Sequence, residues 1–134
     1  MAGESILIVD DNAANLKLAR VILTSEGYEV RTVGDAEEAL AAVREHAPAL
    51  ILMDVQLPGM DGLELTRRLK ADPKTRGIAI LALTAYAMKG DEERMLTAGC
   101  DGYVAKPINR QRLIQQIAQL VTRSKSRHAD RPDE

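Results

Sequence analysis

The sequence predicts an α/β domain built on a parallel sheet, and three observations carry the prediction. Apolar runs alternate with helix-patterned segments five times, which is the rhythm of consecutive βα units. Two of the runs, 49–53 and 78–83, contain no polar residue, as strands buried on both faces require. The chain has 134 residues, enough for one domain with a full core and too few for two.

The elements follow in order. Ser5–Asp10 reads as the first strand, and a helix follows from about Asn12 to Glu26, with Leu16, Ala19, Ile22 and Leu23 on one face. Gly27 supplies the left-handed position that stops this helix. The second strand, Tyr28–Val33, interleaves Glu29 and Arg31 with apolar residues, so it belongs at an edge of the sheet. Asp35 and Glu38 form a capping box for a helix through about His46 that buries Ala39, Leu40 and Val43. Ala49–Asp54 is a central strand, and Leu57-Pro58-Gly59-Met60 is a loop. Asp61 and Glu64 make a second capping box for a helix to about Ala71. Ile78–Thr84 is another central strand. A helix from about Lys89 to Ala98 ends at Gly99, and Gly102–Ala105 is a short last strand. Asn109 caps a final helix with Leu113, Ile114, Ile117, Leu120 and Val121 on one face. The domain is expected over 4–122. Residues 123–134 are charged, lack periodicity and contain Pro132, and are expected to form an unstructured tail.

Composition excludes several functions. Hydrophobic residues make up 46% of the chain, which rules out a largely disordered protein. The formal net charge of −2 is the opposite of a nucleic-acid footprint, so no direct DNA binding is expected. No apolar stretch approaches the ~18 residues of a membrane span. The N-terminus lacks the basic and apolar regions of a signal peptide, and the single Cys100 cannot form an internal disulfide, so a cytoplasmic location is expected.

The chemistry sits at the ends of the apolar runs. Asp10 and Asp11 follow the first, Asp54 the third, Thr84 the fourth and Lys106 the fifth. In a parallel sheet these ends share the carboxyl edge, where open α/β sheets place their sites. Three carboxylates in one pocket repel one another by about 4 kcal/mol per pair at ~4 Å and an effective dielectric near 20. A divalent cation with oxygen ligands relieves that repulsion, and Mg²⁺ is the natural choice. A hard cation, an ammonium and a hydroxyl around a carboxylate form a site that can accept a phosphoryl group on that carboxylate. Asp54, at the end of a central strand and before a Pro-Gly loop, is the best nucleophile. Taken singly, each group has an ordinary explanation as a helix cap or a solvated side chain. Their joint placement at four strand ends is what favours a site.

The chain resembles the response-regulator receiver domains of two-component signalling. The residues that carry the resemblance are Ile8-Val9-Asp10-Asp11-Asn12, Leu52-Met53-Asp54-Val55-Gln56-Leu57-Pro58-Gly59-Met60-Asp61-Gly62, Ala82-Leu83-Thr84-Ala85 and Gly99-Cys100-Asp101-Gly102-Tyr103-Val104-Ala105-Lys106-Pro107. The resemblance implies a flavodoxin-like (βα)5 three-layer sandwich of CheY-like type, with strand order 2-1-3-4-5. It implies phosphorylation of Asp54 as a 4-aspartylphosphate, and Mg²⁺ (or Mn²⁺ in its place) on Asp10, Asp11, Asp54 and the backbone carbonyl of Gln56. It further implies that Thr84 and Lys106 contact the phosphoryl group, that Thr84 and Tyr103 form a conformational switch, and that the bond before Pro107 is cis. Gln56 and Tyr86 would tune how fast water removes the phosphoryl group.

The implied partners are a sensor histidine kinase or histidine phosphotransfer protein docking near Asn12, Ala14, Asn15 and Leu18, and a downstream protein on the fourth helix, fifth strand and fifth helix. Met88, Lys89, Asp91, Glu92, Arg94 and Met95 are the candidate output residues of that fourth helix, and a phosphorylation-dependent homodimer is left open. The stretch Thr84-Ala85-Tyr86-Ala87-Met88-Lys89-Gly90-Asp91-Glu92-Glu93-Arg94 is similar to stand-alone regulators of the DivK-like type. Receivers within hybrid histidine kinases or multidomain regulators share much of it and are the alternative. Such a module is a switch that catalyses only its own phosphorylation and dephosphorylation. An aspartyl-nucleophile phosphatase would need a second acid where Gln56 stands. A flavodoxin-like flavin binder would need aromatics to flank the ring and a phosphate-cradling loop after the first strand, where Asp10-Asp11 would repel phosphate without a metal. A receiver fold working without phosphorylation has no use for the full acid set.

Overall fold

In a computed structural model, residues 3–57, 59–85 and 89–129 are described, with the backbone alone for 89–90 and 123–129. Strands and helices alternate: β1 Ser5–Val9, α1 Ala13–Ser25, β2 Glu29–Val33, α2 Ala36–Glu45, β3 Leu50–Asp54, α3 Gly62–Ala71, β4 Ala79–Thr84, α4 Lys89–Ala98, β5 Gly102–Ala105 and α5 Arg110–Ala129. The strands form one parallel sheet of order β2-β1-β3-β4-β5. Here Pro58, Tyr86 and Met88 lie outside the described residues.

Local chemistry sets the helix starts. Asn12, Asp35, Asp61 and Asn109 each accept a bond from the backbone N–H three residues on, at 3.0, 2.8, 2.9 and 3.0 Å. The two expected capping boxes close differently. Glu38 reaches back one residue further, to the Gly34 N–H at 2.7 Å. Glu64 turns outward to Arg67 and Arg68 instead, at 3.2 and 3.3 Å. Gly27 and Gly99 take φ of 91° and 112°, the left-handed values that end α1 and α4 without a Cβ penalty.

Strand alternation divides the core into two layers. Leu7, Val9, Ile51, Met53, Ile80 and Ala82 face α2, α3 and α4, packing against residues such as Val43, Leu69 and Met95. Ile6, Ile8, Leu50, Leu52, Leu81 and Leu83 face α1 and α5, meeting Leu23, Leu113 and Ile117. β3 and β4 are buried along their whole lengths, and β2, at the edge, is only partly covered.

Two expectations need correction. Residues 123–129 are not an unstructured tail: backbone helix continues to Ala129. No proline interrupts the chain between Arg123 and Ala129, and basic residues suit a helix C-terminus. Met95 is no surface residue; it is 2% exposed and belongs to the core under α4, while Leu96 beside it is 53% exposed. On the edge strand β2, Arg31 is partly covered and donates to the carbonyls of Ala42 and His46, which closes the C-terminus of α2.

At the amino edge of the sheet, far from the strand ends with the acids, Lys70 joins three segments. Its ammonium donates to the carbonyls of Arg76 and Ile78 and to Asp101, at 3.1, 2.9 and 2.9 Å. The same Asp101 oxygen accepts the Ile80 N–H at 2.8 Å. Asp101→Ala removes an acceptor shared by a partly buried ammonium and a strand N–H. It is expected to lower stability by about 2 kcal/mol, read from the urea midpoint.

Candidate functional site

Parallel register brings the strand-end residues together. Val9 pairs with Met53, Asp54 with Leu83, and Thr84 with Ala105. Asp10, one residue past β1, therefore falls beside Asp54. Lys106, one residue past β5, is tied to the end of β4 by its N–H, which donates to the Thr84 carbonyl at 2.7 Å.

The two inner carboxylates are held by the same device. Asp10 Oδ1 accepts the backbone N–H of Asn12 at 2.8 Å, and Asp54 Oδ1 accepts that of Gln56 at 2.9 Å. Each is an Asx turn, in which an aspartate leaving a strand binds the backbone two residues on. Each turn uses one carboxylate oxygen and aims the other into the cleft. Asp54 Oδ2 meets the Lys106 ammonium at 3.0 Å, the Asp54 side chain being 4% exposed and that of Lys106 22%. Asp10 Oδ2 is buried and has no hydrogen-bond partner among the described residues. Asp11 is exposed, yet one of its oxygens joins those of Asp10 and Asp54 within 4.8 Å of one another.

Electrostatics follow from that packing. Burial pushes the Asp10 carboxyl above its ordinary value, against the lowering effect of the Asn12 N–H; the charge of Asp54 pushes it further up and that of Lys106 pulls it down. A buried carboxylate oxygen lacking a donor, in a cluster of three acids, is a cost that a divalent cation with oxygen ligands removes. The donor set is all oxygen, so the residues fit Mg²⁺ or Mn²⁺.

Thr84 closes β4 and is 3% exposed. A groove of about 180 Å³ runs past it, lined by Val55, Gln56, Asp61, Leu63 and Met95 among others. Gln56 itself is exposed, and the Lys106–Pro107 peptide bond is cis. Tyr103 lies on β5, partly covered and packed against the core layer under α4. The negative charge of Glu92 on α4, with some burial, raises the Tyr103 hydroxyl pKa, and Arg112 on α5 opposes the shift. The structure thus gathers Asp10, Asp11, Asp54 and Lys106 in one cleft with Thr84 at its wall, and puts Tyr103 on the neighbouring α4–β5 surface.

Two functional groups escaped the sequence reading: the backbone N–H groups of Asn12 and Gln56 that orient the acids. The available signal was an aspartate at each strand exit followed by an irregular segment.

Comparison with known proteins agrees with this arrangement. The family model described as response regulator receiver domain matches residues 6–118. The polar-differentiation response regulators DivK of Brucella anthropi and Brucella suis are 49% identical over 114 residues, covering 85% of this chain and 93% of each relative. Among solved structures, a CheY-like receiver domain protein from Methanospirillum hungatei superposes with a TM-score of 0.86 at 33% identity, over 94% of this chain and 99% of that one. The receiver domain of a sensor histidine kinase from Pseudomonas aeruginosa, with a magnesium ion coordinated in its active-site cleft, gives 0.83 at 38% identity, over 90% and 99%. With its fold, its acidic cleft and its sequence all in agreement, the chain belongs to the response-regulator receiver family of two-component signalling and is DivK-like.

Proposed function

We propose that this receiver takes a phosphoryl group onto Asp54 from a phosphohistidine donor in the cytoplasm, and that the modification changes which protein it binds. The observation that carries this reading is a buried carboxylate with one oxygen pinned by the Gln56 N–H and the other on the Lys106 ammonium, inside a three-acid cluster. Asp10, Asp11, Asp54 and the Gln56 backbone carbonyl would hold Mg²⁺, which supplies the positive charge that offsets the acids and the incoming phosphoryl oxygens.

The chain's own groups divide the remaining work. The Gln56 N–H fixes the Asp54 carboxylate, which limits the directions from which it meets phosphorus. In transfer, an Asp54 oxygen bonds to phosphorus, the P–N bond to the donor imidazole breaks, and its electron pair stays on the imidazole. Lys106 then turns from Asp54 to a phosphoryl oxygen, and the Thr84 hydroxyl takes another. Drawing Thr84 inward opens room for Tyr103 to turn in, so the chemistry is read out as a population shift. The expected output surface joins α4, β5 and α5, where Leu96, Tyr103, Ala105, Arg112 and Gln116 line a second groove.

The donor's expected dock is α1, which starts beside the acids. Leu18 and Val21, one turn apart, are 45% and 60% exposed there. The test is transfer from a panel of phosphorylated histidine kinases and phosphotransfer proteins. Mg²⁺-dependent, EDTA-sensitive labelling is expected. Absence of label from every donor and from acetyl phosphate, under conditions that label a known receiver, would overturn the reading. Replacing Leu18 and Val21 together by Glu should slow transfer from the cognate donor by roughly tenfold or more. Labelling by acetyl phosphate, which needs no dock, should be unchanged.

A further inference from the structure

We propose that Gly62 is a positioning residue for the metal and phosphoryl site, setting the path of the backbone that carries Asp54 and Gln56. The inference rests on the function proposed above. It comes from the close seating of the first turn of α3 on the end of β3.

A Cβ at Gly62 would lie 2.4 Å from the Asp54 carbonyl oxygen and 2.9 Å from Val55 Cα, both backbone atoms, where real Cβ contacts essentially never fall below 3.0 Å. Gly62 does not have positive φ, so its role is space and not backbone conformation. The absent side chain lets the Gly62 N–H reach the Val55 carbonyl at 2.9 Å and close the intervening loop on itself. That loop begins with Gln56, whose N–H holds Asp54 Oδ1 and whose carbonyl is the fourth expected metal ligand.

Burial decides which side yields to an added methyl. The first turns of α3 are anchored: Leu63, Leu65 and Thr66 are 2%, 0% and 0% exposed. The Thr66 hydroxyl donates to the Gly62 carbonyl at 2.9 Å and lies 3.5 Å from Met53 Sδ. On the other side, Asp54 is buried at the end of β3 and the Val55 N–H is tied to the Leu83 carbonyl at 3.1 Å, so the first freedom comes at the half-buried Val55 carbonyl and the exposed Gln56. The displacement therefore goes into 55–56, taking the Gln56 N–H and carbonyl off their marks. Gly77, with nothing within 4 Å of a Cβ, is the matched control.

The experiment titrates Mg²⁺ calorimetrically into wild type, Gly62→Ala and Gly77→Ala, with circular dichroism to verify the fold. Gly62→Ala is expected to bind Mg²⁺ roughly tenfold or more weakly, the scale of losses when groups that orient metal ligands are disturbed. Its labelling rate by acetyl phosphate should fall with it, and Gly77→Ala should match wild type. Mg²⁺ binding by folded Gly62→Ala within about twofold of wild type would overturn the inference while leaving the proposed function intact. Failure of the wild type to bind Mg²⁺ or to label would instead overturn the function. Should Gly62→Ala not fold, amide exchange in the wild type decides. Metal held on the Gln56 carbonyl must stabilise the closed loop reciprocally. Mg²⁺ should then slow exchange of the Gly62 N–H by about tenfold, with the Gly99 N–H as reference. Unchanged Gly62 exchange at saturating Mg²⁺ would overturn the inference.

Discussion

Asp54→Asn is expected to reduce labelling by acetyl phosphate to background while leaving the fold intact. The substitution keeps the shape of the side chain, and its amide oxygen can still accept the Gln56 N–H now made to Asp54 Oδ1. What it removes is the nucleophile, since a carboxamide does not attack phosphorus as a carboxylate does. It also removes the charge paired with Lys106 at 3.0 Å. That ammonium keeps access to solvent and to the neighbouring acids, so little stability is expected to be lost. Thermal unfolding and radiolabel incorporation, measured on the same preparations, separate the two effects. Undiminished labelling would mean that the phosphoryl group goes elsewhere.

The second large effect concerns the metal. Asp10→Asn is expected to weaken Mg²⁺ binding by about tenfold or more and at the same time to stabilise the metal-free protein by roughly 0.5–2 kcal/mol. Asp10 is 1% exposed, and its Oδ2 has no hydrogen-bond partner among the described residues. An amide there keeps the bond from the Asn12 N–H and no longer repels Asp54. The gain should show as a rise of a few degrees in Tm in EDTA. Saturating Mg²⁺ should then raise the wild-type Tm more than that of the variant, a tenfold loss of affinity corresponding to about 1.4 kcal/mol less stabilisation by the metal.

The same carboxyl gives a pH dependence. Its folded pKa lies above its ordinary value of 3.8, with burial the largest cause. The metal-free folded protein thus retains this proton over a range in which the unfolded chain has released it. The Asp10 contribution to stability is present in full below 3.8 and is lost as pH rises through the folded pKa. The stability gap between Asp10→Asn and wild type should therefore widen as pH is raised from that region toward neutrality, read from urea midpoints in EDTA. A gap that stays constant would mean that the acidic cluster is not strained in the metal-free state.

Much of the site was legible because each chemical group ends an apolar run. Two rules, that such runs pair in parallel and that sites lie at their carboxyl ends, place Asp10, Asp54, Thr84 and Lys106 together before any contact is known. The edge position of β2 was legible in the same way, from Glu29 and Arg31. What the sequence hid depends on tertiary geometry. Arg31 alternates like a solvated residue, yet its guanidinium finds α2 carbonyls that only the crossover brings near. Lys70 and Asp101 stand 31 positions apart, with no local pattern to link them. Met95 sits among charged residues that suggest a surface, but helical phase turns it under α4. Gly62 carries a cap-adjacent glycine's ordinary look; only the atoms opposite its bare Cα show why a side chain is excluded.

The central claim is that Asp54 is the phosphoryl acceptor and that Mg²⁺ enables the transfer. Intact-mass spectrometry of the protein incubated with acetyl phosphate, with and without Mg²⁺, followed by peptide mapping of the modified species, tests it most directly. One added phosphoryl group, found on Asp54 and formed only when Mg²⁺ is present, is the expected result. No added mass, a modification that forms equally in EDTA, or one that maps to another residue would contradict it.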